Sequence, residues 1–102
     1  MKVKSLIMHI TPGASPDQVG FKLYMEEAPN PVSYESQSWT LGQQTEVDLS
    51  TLEGMTTKNG VYNFGLVTID GTGNESSMLI SEGVEVDFVA PDPPLKIEFI
   101  RS

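Results

Sequence analysis

Cysteine is absent from this sequence, and histidine occurs once, as His9. Without cysteine the chain cannot form a disulfide, use a thiol nucleophile or bind a metal ion through thiolates. A lone histidine has no second histidine or cysteine with which to bind a metal ion or form a nucleophile–base pair. We therefore predict that His9 is a structural residue at or near the surface. We also predict that the protein is not an enzyme and has no catalytic residue, no cofactor and no metal site.

Basic residues are few. Six lysines and arginines stand against fourteen aspartates and glutamates, so the formal net charge is −8 and the isoelectric point is about 4.3. A nucleic-acid partner requires a stripe of basic side chains, and an anionic membrane surface attracts the same side chains. The composition therefore argues against both nucleic acid and the membrane surface as partners.

Long apolar runs are absent as well. No stretch approaches the roughly 20 apolar residues that a transmembrane helix needs. The first residues lead directly into an alternating pattern, without the apolar run of roughly 7–15 residues found in a secretory signal. We expect a chain that either belongs to a larger protein or is released without a leader.

What the sequence does contain is a two-residue alternation of apolar and polar side chains. Its longest example is residues 61–70, where Tyr62, Phe64 and Leu66 share one face of a predicted strand. Residues 70–74, Asp-Gly-Thr-Gly-Asn, then predict a tight turn because these residue types tolerate positive φ. We expect this strand to lie at the centre of the core, opposite the apolar stripes that contain Met8, Ile10, Phe21 and Leu23.

The same pattern predicts further strands, and no segment shows helical spacing. Segment 36–45 is predicted to be polar and irregular, and segment 50–59 to be a crossing connection. The sequence thus predicts a single all-β domain of six or seven strands, folded as a two-sheet antiparallel β-sandwich. Its core would cover 3–89, with a proline-rich connector at 90–94. The additional predicted strands are 3–11, 19–25, 32–35, 46–49, 78–88 and a C-terminal strand at 95–100. Strand 19–25 contains the apolar stripe Val19, Phe21, Leu23 and Met25, and strand 78–88 is interrupted at Gly83.

Several short motifs resemble those of a fibronectin type III module of the bacterial or phage type, an immunoglobulin-like β-sandwich. The matching pieces are 6–12 as strand B, 19–24 as strand C, 61–70 as strand F, the turn at 73–76, and the proline pair at 93–94. The resemblance implies a non-catalytic mechanical or adhesive module.

Two positions depart from the family. Ile10 stands where the family has a tryptophan in strand B, and we expect strand A to be missing, because only two residues precede Val3. The predicted strand at 95–100 could instead complete the same sandwich, or it could be donated to a neighbouring subunit.

Two short motifs resemble a metal-binding loop and a glycosylation site, and for both the simpler interpretation is a turn. Residues 70–74 resemble the start of a calcium loop, but the twelfth position of that loop is Ser81 rather than glutamate, which favours a plain turn. Residues 74–76, Asn-Glu-Ser, spell a glycosylation sequon, and the asparagine also suits the turn.

The candidate interface residues are the apolar side chains outside the predicted core stripes. Trp39 is either a lid over one end of the fold or a binding anchor. Val61, Val67 and Ile69 lie on the outer face of the long strand, which loops or a partner must cover. Apolar side chains also alternate in the last predicted strand, at Leu95, Ile97 and Phe99.

We therefore expect a structural or adhesive module that contacts neighbouring protein subunits in a surface assembly. A virion head decoration or tail component is the most concrete example, and the expected location is a virion or extracellular surface. The alternatives are a module of a secreted multidomain protein and a carbohydrate-binding module. The latter would use Trp39 with Tyr24 or Tyr34 as stacking platforms.

Overall fold

The computed structural model describes residues 5–13, 17–89 and 91–101. The chain is all-β, with 47% of residues in strands and no α-helix among the described residues. Two short 3-10 helices, Leu49–Thr51 and Met55–Thr57, lie in the predicted connection before the longest strand. The strands are β1 (Ile7–His9), β2 (Gln18–Glu27), β3 (Gln37–Gly42), β4 (Glu46–Asp48), β5 (Asn59–Asp70) and β6 (Leu79–Asp87).

The strands form two antiparallel sheets, which confirms the predicted all-β class and the two-sheet arrangement. One sheet pairs β1 with β4, and the other has the order β3-β2-β5-β6. The long strand β5 therefore lies inside the larger sheet, between β2 and β6, as its length and apolar face predict.

One hydrophobic cluster joins the two sheets. Phe64 of β5 is buried there, and Tyr62 and Leu66 pack against it from the same strand. The predicted central stripe is thus confirmed, together with its partners from β1 and β2. Met55 was not predicted as a core residue because its 3-10 helix has no periodic pattern. The buried members are Ile10, Phe21, Leu23, Met25, Leu41, Val47, Leu49, Met55, Phe64, Val86 and Phe88.

Val19 is the exception within the predicted stripe of β2. It is 47% exposed, and the pairing of β2 with β5 shifts register between Gln18 and Gly20. A bulge inserts a residue and reverses the alternation beyond it, which turns Val19 outward.

A second, smaller cluster lies on the opposite face of the larger sheet. Tyr24, Val32 and Val67 are buried in it, and Met78 packs against them. The segment between β2 and β3 supplies Val32, so the chain itself covers this part of the outer face. Tyr24, named above as a stacking platform for a carbohydrate, is buried in this cluster.

Three predicted elements differ from the structure. Segment 32–35 is not a strand, and the strand next to β2 is formed by Gln37–Gly42, which was predicted to be irregular. Gly83 does not interrupt β6: it has a φ of 68° at a bulge, where its N–H donates to the Oδ1 atom of buried Asn63 over 3.0 Å. Segment 95–100 forms no strand within the described part of the chain.

Candidate protein-interaction site

An apolar groove lies between β1 and β6, and we call it the β1–β6 groove. Its volume is about 190 Å³. Ser81 contributes the one polar side chain among the lining residues. These residues are Leu6, Ile7, Met8, Leu49, Phe64, Ser81 and Val84. Single strand patterns could not predict the groove, because it forms between elements that are far apart in sequence.

The strand β1 borders this groove with an open edge. The Leu49 N–H donates to the Leu6 carbonyl over 2.8 Å, and the Ile10 N–H donates to the Thr45 carbonyl over 2.8 Å. These bonds direct the backbone groups of Leu6 and Ile10 toward β4. Because backbone groups alternate in direction along a strand, those of Ile7 and His9 face the other edge. No described strand pairs with that edge.

The C-terminal segment, residues 95–100, presents apolar side chains to solvent. Leu95, Phe99 and Ile100 are almost fully exposed, and Ile97 is 77% exposed. An isolated exposed apolar residue is ordinary, but four within six residues form an apolar surface of the kind found at interaction sites. Three of these residues are interface candidates from the sequence.

The molecule is long for its size. Its radius of gyration is 18.0 Å, compared with about 13 Å for a compact domain of 100 residues. Its long axis measures 72 Å, and the other two measure 27 and 18 Å. The connector and the C-terminal segment together, residues 91–101, would span on the order of 35 Å when extended, so the two together account for much of the elongation.

Trp39 lies in β3 rather than in a loop. Its side chain is half-buried against the main cluster, and its Nε1–H donates to the Glu53 carbonyl over 2.9 Å. The pairing of Trp39 with Leu23 places both on the core face of the sheet. These contacts hold the Trp39 side chain against the core of the fold.

The three outer-face candidates of β5 differ in exposure. Val61 is 47% exposed, Ile69 is half-buried, and Val67 is 1% exposed in the second cluster. Val67 therefore offers no surface to a partner in this structure. Sequence patterns missed Leu79 and Ile80 of β6, which are 75% and 51% exposed.

Residues 70–74 form the predicted turn, organised by the carboxylate of Asp70. The Asn74 side chain and backbone donate to this carboxylate over 3.0 and 2.9 Å, and the Thr72 N–H donates over 2.9 Å. The hydrogen bonds from Asn74, followed by those from Thr72, lower the pKa of Asp70 to about 2. No group of three or more His, Asp or Glu side chains suited to a metal ion occurs in the described ranges.

The aromatic side chains do not form one exposed platform. Tyr24 is 1% exposed, contacts the Tyr34 ring edge-on at a centroid distance of 5.7 Å, and donates a hydrogen bond to Glu75. Burial, followed by that hydrogen bond, raises the pKa of the Tyr24 hydroxyl. Trp39 projects from the opposite face of the same sheet, because Ser38 rather than Trp39 pairs with Tyr24.

His9 lies on the exposed side of β1, as predicted for a surface residue. Its Nε2 atom is 4.0 Å from the Oε1 atom of Glu46 on the paired strand. Both side chains are well exposed, so this contact contributes little to stability.

In the ranges that the structure describes, no helix has the length and apolar character needed to cross a membrane. Comparisons of the chain with protein-family models, with curated proteins and with solved structures gave no match.

Proposed function

We propose that this protein is a non-catalytic β-sandwich module, similar to fibronectin type III, that assembles through contacts with neighbouring protein subunits. The observation on which the proposal rests is the C-terminal segment, whose apolar side chains are almost fully exposed. Leaving this much apolar surface in water is unfavourable, so a protein surface that covers it gains binding free energy.

The order of the strands supports the sandwich part of the proposal. Immunoglobulin-like sandwiches place strand B beside strand E in one sheet and strands C, F and G together in the other. With β1 as strand B, the sheet of β1 and β4 corresponds to B and E. The order β2-β5-β6 corresponds to C, F and G, and β3 lies where such folds add a further strand beside C.

A binding role fits the charged and polar groups better than catalysis does. Among the described residues, the charged group near the exposed His9 is the Glu46 carboxylate, 4.0 Å away. Asp70, whose pKa is strongly lowered, directs its carboxylate oxygens at backbone and side-chain donors of its own turn. These hydrogen bonds stabilise the turn and direct the Asp70 carboxylate away from the role of a general base.

The carbohydrate alternative gains no support from the aromatic rings. Sugar recognition needs exposed rings side by side, whereas Tyr24 is buried and Trp39 lies on the other face of the sheet. The virion or extracellular location stays a prediction, and so does the alternative that the chain is a module of a secreted multidomain protein.

A matched pair of substitutions tests the proposal. By alternation, Ile97 lies on the apolar face of the C-terminal segment and Ile100 lies on the face of Lys96 and Glu98. If the segment binds as a strand, Ile97→Asp should weaken self-association in sedimentation equilibrium by at least about tenfold, and Ile100→Asp should change it by less than about threefold.

Two other results of the same measurement would contradict the proposal. Equal weakening by the two substitutions would indicate non-specific stickiness of an apolar tail. An unmodified chain that stays monomeric at all concentrations would remove the basis for assembly among copies.

A further inference from the structure

We infer that residues 95–100 of one copy add as a strand to the open edge of β1 in a second copy and place Leu95, Ile97 and Phe99 in its β1–β6 groove. This inference rests on the proposed function and names its partner as another copy of the same chain. It assigns a role to two features that the described residues leave unmatched, namely the apolar groove and the exposed apolar segment.

The acceptor has both the backbone and the side-chain surface that strand addition requires. Leu6 and Ile10 form backbone hydrogen bonds with residues next to β4. The N–H and C=O groups of Ile7 and His9 therefore face the open edge of β1. Leu6 and Met8 point inward and line the groove with Phe64. Strand addition combines backbone bonds at such an edge with pockets for alternate side chains.

The position of the groove agrees with the family resemblance. In the immunoglobulin-like arrangement, strand A lies beside strand B at the edge of its sheet. With β1 as strand B, that place is the open edge of β1. A strand from another molecule would therefore complete the smaller sheet and cover the edge, and an uncovered edge invites aggregation.

The donor has the matching pattern and no net charge that opposes docking. Leu95, Ile97 and Phe99 alternate with the polar Lys96 and Glu98, as a strand with one buried face requires. The charges of Lys96 and Glu98 cancel, so segment 95–100 has no net charge although the whole chain has −8. A neutral segment meets no like-charge repulsion from an acidic partner surface.

The connector favours insertion into another copy over insertion into the same one. Phe88 is buried in the main cluster, and its N–H donates to the Lys58 carbonyl over 3.3 Å, so the chain is anchored at the end of β6. Prolines occupy three of the next six positions, at 91, 93 and 94. Proline favours extended backbone and removes N–H donors, which disfavours a hairpin that folds back along β6.

Disulfide trapping between single-cysteine variants tests the register directly. The chain has no native cysteine, so a mixture of two variants can form disulfides only between molecules. The acceptor is His9→Cys, and the donors are Lys96→Cys, Glu98→Cys and Ile100→Cys, all on the outward face of the segment. Neighbouring strands hold such pairs about 4.5–5.5 Å apart between Cα atoms, within the range that a disulfide spans.

The matched control acceptor is Thr40→Cys, at an exposed position on β3, which also has an open edge. We expect at least one donor to cross-link with the His9→Cys chain about tenfold faster than with the Thr40→Cys chain, at equal concentration. Mass spectrometry identifies the mixed disulfide.

A second pair of variants tests the groove without altering the segment. Ser81 lines the groove and is exposed, whereas Ser77 is exposed outside it. Inserting an apolar segment against a new carboxylate would bury that charge. We therefore expect Ser81→Asp to weaken self-association by roughly tenfold or more and Ser77→Asp to change it by less than about threefold.

The possible outcomes separate this inference from the proposed function. Preferential trapping at His9 together with the Ser81→Asp effect supports both. Self-association with no preference for His9 over Thr40, or with equal effects of the two serine variants, overturns the insertion and leaves assembly intact. Absence of both self-association and cross-linking overturns the two together.

Discussion

Gly20 of β2 lies directly beside the backbone of Gly42, the last residue of β3. A Cβ atom at this position would be 2.9 Å from the carbonyl oxygen of Gly42 and 3.0 Å from its carbonyl carbon. Backbone atoms in a paired strand cannot move aside as a flexible side chain can, so Gly20→Ala should push β2 and β3 apart.

The expected effect is a loss of about 1–3 kcal/mol in the free energy of unfolding, the usual range for overpacking. Urea denaturation measures it. Gly13→Ala is the matched control, because no atom lies within 4 Å of a Cβ built there. The control should keep its stability or gain up to about 1 kcal/mol, and equal losses in the two variants would contradict the close approach.

Substitution of Trp39 separates the two roles that the sequence left open, a lid and a binding anchor. Half-burial against the main cluster and the hydrogen bond to the Glu53 carbonyl make it part of the fold. Trp39→Ala should lower the free energy of unfolding by about 2 kcal/mol, less than the roughly 3–5 kcal/mol of a fully buried aromatic side chain. Trp39→Phe, which keeps most of the packing, should lose about 1 kcal/mol. A Trp39→Ala chain with unchanged stability and weakened self-association would restore the anchor interpretation.

At the scale of elements, the turn after β5 depends on the ionised form of Asp70. The pKa of Asp70 is about 2 in the folded chain and about 3.9 in an unfolded chain. Because the pKa of Asp70 is lower in the folded chain than in the unfolded chain, the ionised carboxylate stabilises the fold. This contribution is complete above about pH 4. This contribution is lost as the pH falls toward 2.

We therefore expect Asp70→Ala to be less stable than the unmodified chain at neutral pH, and the difference to shrink between pH 4 and pH 2. Chemical denaturation across this pH range measures the difference. Asp92→Ala, in the exposed connector, is the matched control and should follow the unmodified chain. A stability difference for Asp70→Ala that stays constant with pH would contradict the role of its charge.

At the scale of the whole molecule, assembly and stability should be linked. A partner that binds only the folded chain raises its stability in proportion to the logarithm of the partner concentration. The melting temperature of the unmodified protein should therefore rise with protein concentration. In the Ile97→Asp variant it should be nearly independent of concentration, and Ile100→Asp should behave as the unmodified protein does.

Differential scanning fluorimetry over a hundredfold range of concentration provides the comparison. A melting temperature that is independent of concentration in the unmodified chain, while sedimentation shows self-association, would mean that assembly does not stabilise the fold. Strand addition to an open edge would then be the wrong mode of contact.

Local patterns determined the parts of this structure that depend on neighbours in the chain. The alternation around Phe64 was sufficient to predict β5 and its buried face, because a strand with a two-residue period can bury only one side. The turn at 70–74 followed from residue types that bond their own backbone. The surface position of His9 followed from its place opposite Met8 and Ile10.

Only the tertiary structure decided features that depend on which strands become neighbours. β3 exists because β2 has a second edge to pair with. The alternation within β3 is short, with only Trp39 and Leu41 as apolar residues, so its own sequence is a weak signal. Val67 is buried because the segment containing Val32 folds over it. The β1–β6 groove and the unpaired C-terminal segment are likewise products of topology. A strand pattern predicts that a segment can pair, but the available edges decide whether and with what it does.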